Sequence, residues 1–264
     1  MRADLHIHTC LSPCGDLDMS PRNIVRIAKE RGLQIIAITD HNSTRNVRTC
    51  MSLGEREGLY VIPGCEVNTR EEVHVLCYFP HLEATEAFQR YLDGKMSDVK
   101  NDPDRFGYQV AVDENDQIVY EEERSLFMSI SDEIERVAEV VYRLGGIFVP
   151  AHVDRPGNSL FSQLGFIPPG LRYHALEVSK GTTPAGFLLG HPELKEERLI
   201  QSSDAHYPGD IAVAYTRFGI TGLNWQELTD ALLNARYETC NTRFGTSRGT
   251  VVPSWGDPEK GERL

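Results

Sequence analysis

The 264-residue chain is short of several things that would place it in familiar classes. It has no excess of basic residues: 27 Lys and Arg stand against 39 Asp and Glu, a formal net charge of −12. A broad cationic surface is therefore absent from the composition, and no duplex nucleic acid is expected as a partner. That acidity still allows a short nucleotide or a small phosphorylated metabolite, because bound cations reverse the charge locally. No run approaches the ~20 apolar residues needed to cross a bilayer. The opening residues MRADLHIH carry no signal-peptide core, so a cytoplasmic protein with no membrane partner is expected. The six cysteines, Cys10, Cys14, Cys50, Cys65, Cys77 and Cys240, have no disulfide-scaffold spacing and are expected to be reduced thiols. No internal repeat or linker divides the chain.

What is present is a globular composition, 40% hydrophobic and 25% charged, long enough for one large α/β domain over residues 1–264. Strand-like runs fall at Ala3–His8, Gln34–Thr39, Tyr60–Glu66, Val73–Phe79, Gly146–Ala151, His174–Val178 and Leu199–Ser203, with a weaker eighth at Ala214–Phe218. Helical stretches lie between them. Ser20-Pro21 caps and opens a helix running to Arg31, with Ile24, Ile27 and Ala28 on its apolar face. Further helices are predicted over Thr44–Glu57, Glu83–Asp93, Ser131–Leu144 and Trp225–Arg236. Alternating strands and helices predict a parallel sheet, and seven or eight such units predict closure into a barrel. Residues 94–124 break the pattern and read as a hairpin excursion, and a flexible tail is expected from about Gly245.

The chemistry is concentrated at strand ends. In His6-Ile7-His8 the two imidazoles share one strand face, with Leu5 and Ile7 turned to packing. Two neighbouring imidazoles are a common start to a zinc, iron or manganese site. Asp40/His41, Glu66, His152 and Asp204/His206 also fall at or just after strand C-termini, the rim where barrel active sites are built.

Five strings in order, DLHIHT (Asp4–Thr9), AITDHN (Ala37–Asn42), PGCEV (Pro63–Val67), PAHVDRP (Pro150–Pro156) and SSDAH (Ser202–His206), resemble the polymerase and histidinol phosphatase (PHP) superfamily of metal-dependent phosphoesterases. The resemblance implies a distorted, TIM-like (β/α)7 barrel with three divalent metal ions, Zn, Fe or Mn. It places His6, His8, Glu66 and Asp204 around one metal, with Glu66 bridging to a second held by His74 and His152. Asp16, His41 and His206 would take the third. Cys14 competes with Asp16 in the loop after His8; the resemblance favours Asp16, whose distance to the Ser20-Pro21 helix start is similar to that in relatives with a carboxylate there, and its hard oxygen suits manganese or iron. Asp40 is expected to support the ligands from behind. His81, His174 and His191 match no motif and read as ordinary structural or surface histidines.

The implied reaction is hydrolysis of a phosphomonoester, a small phosphorylated metabolite or nucleotide, by metal-activated hydroxide. Arg155 and Lys180 are candidate phosphate clamps and His206 a candidate proton relay, with Arg45 a weaker clamp. The runner-up is a phosphodiesterase or exonuclease on short oligonucleotides. A metal-dependent amidohydrolase fits less well, since the Glu66 and Asp204-Ala205-His206 elements suit three metals better. A non-catalytic metal-binding module would need a broken ligand set, and every expected position is filled.

Overall fold

Aliphatic runs bounded by turn residues form the strands, and stretches with apolar residues at helical spacing form the helices. In the computed structural model, which describes residues 1–248, the order is β1 (Arg2–Ile7), α1 (Pro21–Glu30), β2 (Ile35–Ile38), α2 (Val47–Glu57), β3 (Tyr60–Asn68), β4 (His74–Tyr78), α3 (Leu82–Asp93), α4 (Pro103–Phe106), β5 (Val110–Val112) and β6 (Ile118–Glu121). There follow α5 (Ile134–Arg143), β7 (Ile147–Pro150), α6 (Leu160–Gln163), β8 (Leu176–Val178), α7 (Pro184–Gly190), β9 (Leu199–Gln201), β10 (Ala214–Phe218), α8 (Trp225–Leu233), β11 (Tyr237–Asn241) and β12 (Gly245–Arg248).

The fold is mixed α/β around a curled sheet ordered β12-β11-β10-β1-β2-β3-β4-β7, with separate two-stranded ladders β5-β6 and β8-β9. Hydrogen bonds place β8 and β9 between the two sides of the curl. On one side the His174 N–H donates to Phe148 O (2.9 Å) and the Val153 N–H to Glu177 O (2.8 Å). On the other, the His8 N–H donates to Ala205 O (2.9 Å) and the Ala205 N–H to His6 O (3.2 Å).

Three apolar clusters hold this frame. Ile24, Val25 and Ala28 of α1 pack with Ile36 and Ile38 of β2 and Val47 and Cys50 of α2. Phe79 and Phe88 join Val137 and Val141 of α5 over β4 and β7. Ala3, Leu5, Ile35, Ala37, Ile62, Leu76 and Val149 form a third cluster among the strands themselves. Helix α1 starts as its sequence predicts: the Ser20 side chain accepts the Asn23 N–H and Pro21 occupies the first turn.

The expected all-parallel sheet is corrected. Strands β1, β2 and β3 are parallel, but β4 runs antiparallel to both β3 and β7, and β10 antiparallel to β1. Only five residues join β3 to β4, too few for a parallel crossover. The reversal puts the first residue of β4, His74, opposite Asn68 at the end of β3, on the rim where the other strands finish. Along β1 the simple alternation also breaks. Its register against β2 shifts between Asp4 and Ile7, and Leu5 and Ile7 pack in different clusters, as a bulge dictates. The segment expected as a hairpin does pair, Val110 with Glu121 and Ala111 with Tyr120. Of the tail expected from Gly245, the first four residues form β12 against β11, and the rest lies outside the described residues. Strands β11 and β12 and the short helices α4, α6 and α7 went unpredicted.

Candidate metal centre

The rim collects side chains from the ends of six chain segments onto two carboxylates. Glu66, inside β3 and 1% exposed, is the hub. Its Oε1 lies 3.0 Å from His74 Nδ1, 3.0 Å from His152 Nε2 and 3.4 Å from His6 Nε2. Its Oε2 lies 3.0 Å from His41 Nδ1 and 3.4 Å from His8 Nε2. Asp204 faces the same rings: Oδ1 is 3.4 Å from His6 Nε2, 3.3 Å from His8 Nε2 and 3.5 Å from His206 Nδ1. His152 and Asp204 hold positive φ angles of 29° and 48°, unfavourable for residues with a Cβ and found mostly where surroundings enforce them.

The outward nitrogens are tied down, which fixes what the inward ones offer. His6 Nδ1 lies 3.0 Å from Glu177 Oε2, which also accepts the His152 backbone N–H at 3.1 Å. His8 Nδ1 lies 3.0 Å from Ser12 Oγ, whose own proton goes to Asp40 Oδ1 at 2.7 Å. Both imidazoles are thereby oriented with Nε2 facing the cluster, and the two Nε2 atoms stand 3.1 Å apart. Asp40 keeps out of the cluster. Its buried carboxylate also accepts the Thr9 N–H (2.7 Å) and hydroxyl (2.8 Å), so it braces the loop after β1, as expected.

The electrostatics demand positive charge. Burial opposes ionisation of Glu66, but the rings of His74, His6 and His41 hold its pKa well below the usual range. Asp204 is likewise held low, against burial, by His6 and His8. Burial alone would neutralise His6, yet Glu177, Glu66 and Asp204 push its pKa well up. Burial lowers His74 to about 4, and burial with the neighbouring His8 lowers His206 to about 3. The donor atoms within 4.8 Å of one another form three overlapping groups among the described residues: His8–His41–His206, His6–His8–Glu66 and His41–Glu66–His74. Inward lone pairs, anionic carboxylates and mixed N/O donors fit divalent cations of the zinc, iron or manganese kind. Among the described residues, a buried Nδ1 of His152 and Oε1 of Glu177 have no hydrogen-bond partner.

A family model described as PHP domain matches residues 4–144, more than half of the chain. The chain belongs to the PHP family. A second model, PHP-associated, matches residues 200–237. Among curated proteins, an uncharacterized protein of Methanocaldococcus jannaschii is 40% identical over 79 residues, covering 27% of this chain and 46% of that one. A phosphoribosyl 1,2-cyclic phosphate 1,2-diphosphodiesterase of Eggerthella lenta is 32% identical over 81 residues, 29% of this chain and 30% of that one. The matched stretches thus span less than half of these relatives. Among solved structures, the lesion-specific endonuclease Q of Pyrococcus furiosus superposes with a TM-score of 0.68 at 19% identity, covering 92% of this chain and 60% of that one. An endonuclease Q complex with a 27-mer duplex gives 0.66 at 18% identity, covering 88% and 56%. A metal-dependent phosphoesterase described as putative, from Bifidobacterium adolescentis, gives 0.54 at 22% identity, covering 87% and 95%. The duplex complex overturns the expectation that acidity excludes duplex nucleic acid. The same fold carries a duplex there, and net charge does not report the local field at one rim.

Within this PHP fold the remaining candidates are placed unequally. Arg155 donates to Asp204 Oδ2 at 2.8 Å with its side chain about half exposed. Lys180 Nζ donates to Asp204 O (3.2 Å) and to Asp210 Oδ2 (3.0 Å). Arg45 turns to Asp93 (2.9 Å) and the Tyr120 ring. The half-buried Asp16 points its carboxylate at the Asp18 N–H (2.8 Å), while its own N–H donates to His206 O (2.9 Å). The competing Cys14 neighbours the His41 ring electrostatically. Burial opposes charge on His41, but Cys14 and Glu66 raise its pKa to about 9. His81 caps α3 and His174 accepts the Phe148 N–H, both structural as expected. Two contributors were missed. Glu177 had a signal, an acid inside the apolar run Ala175-Leu176-Glu177-Val178. Ser12 had none.

Proposed function

We propose that this PHP protein is a metal-dependent phosphoesterase that hydrolyses a phosphomonoester, a small phosphorylated metabolite or nucleotide. The observation that carries the reading is Glu66, one buried carboxylate shared by five imidazoles with Asp204 facing it. In this reading the curled sheet with β8 and β9 is a distorted (β/α)7 barrel, and residues 94–124 are an insertion over its rim. His6, His8, Glu66 and Asp204 hold one cation; Glu66, His74 and His152 a second; His41 and His206, with Asp16 or Cys14, a third.

Divalent ions bound there supply Lewis acidity and a water ionised near neutral pH. The protein's own part is to fix geometry and charge. Glu177 and Ser12 lock the His6 and His8 rings. Arg155 and Lys180 border Asp204 on the open side and offer positive charge to the phosphoryl oxygens as negative charge develops. His206, held neutral by burial at neutral pH, suits ligation better than proton relay.

The 32% identity to a diphosphodiesterase over 81 residues favours a second reading, hydrolysis of phosphodiesters, including exonuclease action on short oligonucleotides. Phosphate release from a panel of monoesters, run beside oligonucleotide degradation, separates the two. Turnover of monoesters, abolished in His8→Ala, is the expected result. Activity confined to oligonucleotides replaces the first reading with the second, and full turnover by His8→Ala overturns both.

A further inference from the structure

Beside the cluster of histidines and carboxylates, an aromatic path leads out to solvent. The Phe127 ring centroid is 6.1 Å from that of His41, and the Phe106 ring is 6.1 Å from Phe127, edge-on at 68°. Phe106 is 46% exposed, so part of its ring is open to solvent. Its neighbour Arg105 holds a guanidinium 5.4 Å from the ring.

The path is built rigidly. Asn42, adjacent to His41 and fully buried, donates through Nδ2 to Leu126 O (3.0 Å) and Met128 O (2.9 Å). Asn68 Nδ2 donates to Phe127 O at 3.0 Å, and its N–H goes to Asn42 Oδ1 at 3.0 Å. Two amides from the rim therefore clamp the Phe127 backbone on both sides. At the outer end Gly107 takes φ +91° and presses on the loop after β1, so closely that a Cβ would lie 2.6 Å from Pro13 O. Such fixed seating is unnecessary for a solvated loop, and it suits a surface that must present a flat face at a set distance from a reacting centre.

We infer that Phe106, with Phe127 behind it, is a stacking platform for the base of a nucleotide whose phosphate sits at the metal cluster, so the substrate class is nucleotides rather than sugar phosphates. The inference rests on the phosphoesterase reading for the position of the phosphate. Base–aromatic stacking tolerates any base, because every base has a π-face, and Arg105 adds a cation beside the same ring. Phe106 determines specificity and does not act on the phosphorus.

The test compares adenosine 5′-monophosphate with ribose 5-phosphate, and a dinucleotide with its abasic counterpart, in wild type, Phe106→Ala and Phe106→Trp. KM and kcat are measured for hydrolysis, and affinity by calorimetry. Phe106→Ala should raise KM and Kd for the base-bearing compounds roughly 5- to 100-fold, leave those lacking a base unchanged, and spare kcat; Phe106→Trp should restore affinity. Equal changes for both members of each pair, or none, overturn the platform. If wild type hydrolyses nothing yet prefers the base-bearing compounds through Phe106, the phosphoesterase reading fails and the platform stands. If wild type neither hydrolyses these compounds nor shows that preference, both fail.

Discussion

Replacing Glu177 probes the site from behind, without touching any ring nitrogen that faces the cluster. One oxygen of this buried carboxylate accepts from His6 Nδ1 at 3.0 Å and from the His152 N–H at 3.1 Å, and the other has no partner among the described residues. Glu177→Ala strands two buried donors, each at about 1–3 kcal/mol, so unfolding stability should fall by roughly 2–6 kcal/mol in total. Metal affinity should fall about 10- to 100-fold, the usual effect of losing a group that orients a ligating histidine. Glu177→Gln separates geometry from charge. Its amide oxygen can take the place of the accepting carboxylate oxygen and its NH2 the unpartnered position, so both bonds survive. The negative charge behind His6 is lost, however, and a metal-affinity loss nearer 10-fold with only ~1 kcal/mol of destabilisation is expected. Chelator-competition titration gives the affinities and urea unfolding the stabilities. Wild-type affinity in Glu177→Ala, or equal losses in the two variants, would refute the reasoning.

Other expectations follow from the same geometry. Ser12→Ala removes the acceptor at His8 Nδ1 while leaving Asp40 bonded to Thr9, so metal affinity should drop about 10-fold with the fold intact, read by calorimetry and circular dichroism. Since carboxylates raise the metal-free pKa of His6, and Cys14 with Glu66 raises that of His41 to about 9, cations must displace protons. Affinity should therefore climb with pH from 6 towards 9, with proton release visible in buffers of different ionisation enthalpy; a flat profile would count against the cluster. Burial lowers the pKa of His174 below 6.5, so its folded state favours the neutral ring. The folded state should lose stability as pH falls through 6.5, and His174→Gln should flatten that part of a urea-midpoint profile between pH 7 and 5.

Much of the centre was legible because its residues sit in rigid local contexts. The HIH string, Glu66 within an apolar run and Asp204-Ala205-His206 after another need only strand periodicity and a shared rim to meet. Helix α1 was legible from Ser20-Pro21 alone. Strand direction was not, because β4 has the composition of any buried strand and its reversal is encoded only by the short Thr69–Val73 connection. No glycine marks that turn; Glu72 takes the left-handed conformation at φ 61° instead. Asp16 against Cys14 was not legible, because the two side chains stand two residues apart in one loop and composition does not say which of them faces His41. Strand β11, Tyr-Glu-Thr-Cys-Asn, is too polar for hydropathy to reveal. The inference from net charge failed for a different reason: a sum over the chain carries no position.

If buried Glu66 organises a cluster of divalent cations at this rim, the metal content of the protein depends on its carboxylate. Elemental analysis of protein purified without chelator, wild type beside Glu66→Gln, tests it most directly. Wild type should retain three equivalents of zinc, iron or manganese per chain, and the variant, whose fold is checked by circular dichroism, should lose most of them. Metal-free wild type that takes up no cation on reconstitution, or equal metal content in both proteins, would contradict the claim.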